Sequence, residues 1–129
     1  MIFEKRATAR FLFACYSKRM PLASEPIVVM MTAASQEEAT RIGEMLVSQK
    51  LAACVQVLSP MQSIYVWKSE VQRESEVLIL AKTTQSNFAE LERQVRAIHS
   101  YETPEIIALP IVCGSRSYLD WLVDACDAS

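Results

Sequence analysis

The hydrophobic pattern of this chain switches between two periods, and the order of the switches limits what it can fold into. Ile27-Val28-Val29-Met30-Met31 is a continuous run rich in β-branched residues, the pattern of a strand covered on both faces. Ser35-Gln36-Glu37-Glu38 follows as a capping box, in which the Ser35 hydroxyl can accept from the Glu38 N–H while the Glu38 carboxylate reaches back. Ala39, Ile42, Met45, Leu46 and Gln49 recur at helical spacing, which predicts a helix running to Lys50. Ala52 to Leu58 reads as a second strand, stopped by Ser59-Pro60. Gln62 to Trp67 continues it in extended form up to a turn at Lys68-Ser69-Glu70.

Val71 to Thr83 is a long third strand with two unlike halves. Val71-Gln72-Arg73-Glu74-Ser75-Glu76 is polar and is predicted to project from the core as one side of a hairpin arm, whereas Val77-Leu78-Ile79-Leu80-Ala81 is apolar and buried. A second helix, capped near Thr84 or Ser86, carries Phe88, Leu91, Val95 and Ile98 on its apolar stripe. Glu105 to Val112 is a fourth strand, and Pro110 within it argues for an edge position. Ser115 or Ser117 starts a last helix bearing Leu119, Leu122, Val123 and Cys126. The order βαββαβ plus a C-terminal helix predicts an α+β fold. It is the ferredoxin-like split βαβ sandwich, an antiparallel sheet in order 4-1-3-2 with two helices on one face. A two-stranded ribbon is barely stable alone in water, so the arm is predicted to pair with another subunit.

Composition narrows the function. The 129 residues are 51% hydrophobic and 22% charged, which excludes disorder. No run approaches the ~18 apolar residues of a spanning helix, so no membrane is expected. The compact domain is assigned to residues 26–129, behind a basic extension over residues 1–25. Residues 1–20 hold five basic residues against Glu4, while residues 21–129 hold eight basic and fourteen acidic ones. An acidic domain has no electrostatic grip on a phosphate backbone, and nucleic acid is not expected as a partner. The apolar patch Phe11 to Tyr16 is too short for a secretory core, so the extension reads as a peripheral tail or a faint transit peptide. Four widely spaced cysteines without a C-x-x-C pair predict reduced thiols in a cytosol-like compartment.

Several occupants of such a sheet fail on the residues. Met31-Thr32-Ala33-Ala34 stands where a soft-metal carrier would hold C-x-x-C, and the aliphatic strands offer no base-stacking platform. Gly43 and Gly114 are the two glycines, and no phosphate loop can be built from them. The one histidine, His99, falls at a helix C-terminus, where it serves either the helix dipole or a ligand. No catalytic residue is predicted, and the chain is read as no enzyme.

Ser63-Ile64-Tyr65-Val66-Trp67, Glu76-Val77 leading to Lys82-Thr83-Thr84, and His99-Ser100-Tyr101-Glu102-Thr103-Pro104-Glu105 occur in order. Leu109-Pro110 and Ser117-Tyr118-Leu119-Asp120-Trp121 follow. Over residues 26–126 these motifs resemble the CutA divalent-cation tolerance family. The resemblance implies a cytoplasmic homotrimer packed like the P-II trimers, without established catalysis. It also implies a role in tolerance of copper and other divalent metals. Members with proposed copper ligation have a Cys ending the first strand and a His pair before Tyr-x-Thr-Pro-Glu; the matching positions here are Met31, Ile98 and His99. His99 and Met31 are thus the candidate metal ligands, for copper or another divalent cation bound weakly.

The predicted topology gathers Met31, His99, Tyr101 and Glu105 at one end of the sheet, beside the N-terminus of the first helix. A small anionic ligand is a rival to metal there. Lys82 and Cys113 fall at the opposite end, where Lys82 could serve an inter-subunit cleft, so Tyr101, Glu105 and Lys82 are the candidate ligand-cleft residues. Tyr65 and Trp67, on the arm, are read as trimer packing. The function expected is a non-enzymatic trimer of divalent-metal tolerance. The alternatives are a P-II-like small-ligand sensor and an interaction or anchoring scaffold for an unidentified protein partner. An organelle replaces the cytoplasm if residues 1–25 are a targeting segment.

Overall fold

The structure, a computed structural model, describes residues 24–127; the basic extension therefore lies almost wholly outside the described residues. Its elements are β1 (Pro26–Ala33), α1 (Gln36–Ser48), β2 (Cys54–Val57), β3 (Met61–Trp67) and β4 (Glu70–Thr84). A 3-10 turn (Gln85–Asn87), α2 (Phe88–Ile98), β5 (Ile106–Pro110) and α3 (Arg116–Ala125) complete the chain. The sheet runs β2-β4-β1-β5, and β3 pairs with the outer half of β4. Every pairing is antiparallel. Counting β2 and β3 as one interrupted strand gives the predicted 4-1-3-2 order, with β5 at an edge, where the missing N–H of Pro110 is tolerated.

The expected stop at Ser59-Pro60 separates β2 from β3, because a proline cannot donate to the ladder with β4. Two helix boundaries differ from expectation. The second helix begins at Phe88, since Gln85–Asn87 first makes a 3-10 turn. The first helix ends at Ser48, and Lys50 then turns into the left-handed region at φ 59°. Cys54 and Cys126 are free thiols as expected, but Cys113 is disulfide-bonded, which corrects the expectation of reduced thiols throughout.

Alternation along the strands builds the core. Ile27, Val29, Met31 and Ala33 of β1, with Val77, Ile79 and Ala81 of β4, point to one face. There they meet Ala39, Ile42 and Leu46 of α1 and Leu91 and Val95 of α2 in one cluster. Gly43 lets α1 approach β2: an added Cβ would stand 3.0 Å from Cγ1 of Val55. That contact is the reason for a glycine inside a helix, where it costs about 1 kcal/mol against alanine.

The second face of the sheet is also apolar. The register places Val28 beside Leu109, and Met30 between Leu80 and Ile107. Val28, Met30, Leu78 and Leu80 are only half-buried, and Ile107 and Leu109 are exposed. The arm carries exposed apolar residues on both of its sides. It runs from Met61 opposite Glu76 to Trp67 opposite Glu70, and Ile64, Val66, Trp67 and Val71 are exposed, Val66 at 67%.

The arm closes on Lys68-Ser69, with φ 50° and 67°. Two positive φ values are the signature of a type I′ turn, which favours Asn-Gly, whereas an L side chain there costs roughly 1–2 kcal/mol per residue. The double substitution Lys68→Asn with Ser69→Gly is expected to stabilise the chain by about 1 kcal/mol, read as a higher melting temperature. An unchanged or lower melting temperature would show that the turn is unstrained.

Candidate functional site

The corner between the end of β1, the start of α1 and the end of α2 holds the densest polar network among the described residues. Ser35 caps α1 from extended backbone, its Oγ accepting from the Glu38 N–H at 3.1 Å. Glu38 is buried in the first turn. Its Oε1 accepts from the Ala34 N–H at 3.0 Å and from the Ser100 hydroxyl at 3.1 Å, and its Oε2 accepts from the Ser100 N–H at 2.7 Å. The capping carboxylate thus reaches the residue before the cap and, in addition, a loop 62 positions away.

α2 ends where His99 leaves helical geometry, at φ −75° and ψ 142°, its own N–H still bonded to Val95. That break swings the imidazole onto β1. Its Nε2 lies 2.8 Å from the Thr32 carbonyl, and its Nδ1 lies 3.0 Å from the Tyr101 N–H. A carbonyl only accepts and an amide N–H only donates, so Nε2 carries the proton and Nδ1 the lone pair. This is a neutral imidazole with both nitrogens engaged, and its side chain is fully enclosed. Glu38 Oε2 stands 3.9 Å from Nδ1. The Tyr101 ring lies tilted against His99 at 4.9 Å between centroids, and its hydroxyl donates to Glu76 Oε2 at 2.9 Å.

Electrostatics follow from these partners. For Glu38, burial is the largest single influence and opposes the charge. The N–H groups of Ala34 and Ser100 and the Ser100 hydroxyl together outweigh it and hold the carboxyl below its ordinary 4.5. Burial first, then the hydrogen bond to Glu76 and the nearby charges of Glu76, Glu74 and Glu38, push the Tyr101 phenol well up. The phenol therefore stays protonated and serves as a donor.

The predicted site residues separate into groups. His99 and Tyr101 do meet at this corner, and exposed Glu105 lies just before Ile106, the partner of Met31. Met31 is fully buried among the core residues, and a thioether enclosed there presents no sulfur to an ion arriving from outside. Lys82 donates to Gln56 six positions along β4 from Glu76, about 20 Å at ~3.3 Å per residue. One subunit therefore does not bring Lys82 to Tyr101. Tyr65 and Trp67 stand on the arm.

Sequence reasoning missed Glu38, Ser100 and Glu76 as members of the network. The capping box was the available sign for Glu38, but it read as a local device. The network also bears on ligands. The N–H groups of Ala34 and Ser100 are already held by the Glu38 carboxylate, so a small anion finds them taken. Among the described residues no three His, Cys, Asp or Glu side chains stand together as a metal-binding group. The described residues of one subunit therefore do not by themselves form a built metal centre.

The CutA1 divalent ion tolerance protein family matches residues 27–125. A Thermus thermophilus protein named divalent-cation tolerance protein CutA is 48% identical over 95 residues, which are 74% of this chain and 92% of that one. An Arabidopsis thaliana protein named Protein CutA, chloroplastic, is 44% identical over 96 residues, 74% of this chain and 53% of that one. The crystal structure of CutA1 from Oryza sativa superimposes with a TM-score of 0.79 at 38% identity, covering 84% of this chain and 100% of that one.

Proposed function

The chain belongs to the CutA1 divalent ion tolerance protein family, and from that membership we propose that it acts as a homotrimeric, non-enzymatic protein of divalent-cation tolerance, binding copper or another divalent cation weakly. The observation that carries the assembly is the second, apolar face of the sheet. Val28, Met30, Leu78, Leu80, Ile107 and Leu109 form a face that a lone subunit leaves wet, and contiguous apolar surface of this kind marks an interaction site. The projecting arm, with Tyr65 and Trp67, extends it. A second copy of the same chain is the occupant that uses both at once, by strand pairing at the free edges and by apolar contact.

Weak binding has a stated cause. His99 is the chain's one imidazole, and ligation through either nitrogen gives up a hydrogen bond to Thr32 or Tyr101. Leaving a buried partner unsatisfied costs ~1–3 kcal/mol, which lowers affinity by about tenfold or more. Calorimetric titration of Cu(II) into chelator-treated protein is the test. The expected result is weak saturable binding that Met31→Leu retains and His99→Ala loses. Heats no larger than buffer dilution, or an isotherm that His99→Ala leaves unchanged, would contradict the metal part of the reading.

A P-II-like sensor is the second reading, and the open sheet face equally supports its trimer. Its ligand would sit between subunits, because Lys82 and Tyr101 lie at opposite ends of one. The basic residues 1–25, in a chain similar to a plant protein named chloroplastic, support an organelle as the alternative to the cytoplasm.

A further inference from the structure

The arm formed by β3 and the outer half of β4 leaves the sheet at one point, the pair Met61 and Glu76. Beyond it, among the described residues, β3 has no strand neighbour except β4, and a two-stranded ribbon does not fix its own direction. Among the described residues, one side-chain hydrogen bond reaches this arm from elsewhere in the chain: the Tyr101 hydroxyl donating to Glu76 at 2.9 Å. Glu76 is the buried member of the otherwise exposed run Glu70–Glu76, apart from half-buried Gln72, so the bond is made at the arm's root and out of water. Tyr101 itself is held from the other side. Its N–H is bonded to Nδ1 of His99, and the preceding Ser100 gives both its N–H and its hydroxyl to Glu38.

We infer that residues Ser100-Tyr101 are a strap that ties the direction of the arm to the corner at the N-terminus of α1, with the Tyr101–Glu76 bond as its latch. The arm is then not set by β4 alone. Anything that shifts Glu38 or His99 pulls the strap and loosens the arm, and anything that seats the arm tightens the corner. The inference holds for one subunit and does not depend on the trimer, although a trimer that uses the arm would feel the strap directly.

Hydrogen exchange on the full chain tests it, with the amides of residues 77–84, the buried half of β4, as internal reference. Tyr101→Phe keeps the ring against His99 and removes only the hydroxyl. It is expected to speed exchange across residues 61–76 about tenfold relative to the reference, the scale of a lost hydrogen bond to a charged acceptor. Glu38→Gln, at the far end of the strap, is expected to speed the same amides more than the reference, and Tyr101→Phe with Glu76→Gln is expected to add little to either single change. Arm exchange within twofold of wild type in Tyr101→Phe would overturn the latch. A rise in Glu38→Gln no larger in the arm than in residues 77–84 would overturn the coupling. Light scattering on the same samples reports the oligomer separately: a monomeric wild type would refute the proposed trimer and leave the exchange comparison intact.

Discussion

Glu38→Ala is expected to lower the stability of this domain by about 3 kcal/mol, a large fraction of the ~5–15 kcal/mol available to such a fold. The substitution removes a carboxylate that accepts three hydrogen bonds, two from backbone N–H groups. It also cuts the connection between the start of α1 and the loop after α2. Burial alone would make this carboxylate costly; its donors are what make it favourable, so removing the acceptor strands them. The pH dependence has a definite sign. The folded-state pKa of Glu38 is held below its ordinary 4.5, so its contribution is present above that value and is lost as pH falls through the lowered one. Urea unfolding at pH 7 and pH 3 checks both parts. Wild type is expected to lose stability on acidification, and Glu38→Gln, which has no proton to gain there, is expected to lose less. Equal losses would show that Glu38 is not the group responsible.

The second large effect is expected on assembly. Ile64 and Val66 share one face of the arm and are exposed in the subunit. Burying such side chains against another copy is worth ~1.5–3 kcal/mol each. Replacing both with aspartate removes that gain and places two charges in every apolar contact, so the affinity between subunits is expected to fall by at least about a hundredfold. The fold itself should survive, because neither residue belongs to the core cluster. Sedimentation of Ile64→Asp with Val66→Asp is expected to show monomers with an unchanged far-ultraviolet spectrum. A double variant that sediments as wild type would mean that the arm is not part of the interface.

How much of this could be read in advance depended on whether a feature is periodic. The apolar run at Ile27–Met31 and the polar-to-apolar switch inside Val71–Thr83 are patterns along one strand, and both appear as β1 and as the two halves of β4. The same periodicity bears on Met31, which has the parity of Ile27, Val29 and Ala33, all of which face the helices. Burial parity assigns it to the core, whereas position by family resemblance suggested a ligand. The break between β2 and β3 was legible at Ser59-Pro60, and the extended residues on both sides of it pair with β4. The corner was legible in outline, since antiparallel order alone brings His99 and Tyr101 to the end of β1. What joins it was not. The bonds from Glu38 to Ser100 and from Tyr101 to Glu76 span 62 and 25 positions, and no local spacing encodes a pairing of that range. The disulfide at Cys113 had no sign in the cysteine spacing either.

In the proposed trimer, other copies of this chain cover the second face of the sheet. Light scattering on the wild-type protein at micromolar concentration measures that directly. The expected result is a particle of three times the 14.5 kDa chain mass. A particle of one chain mass, with Ile107 and Leu109 still exposed to water, would contradict it.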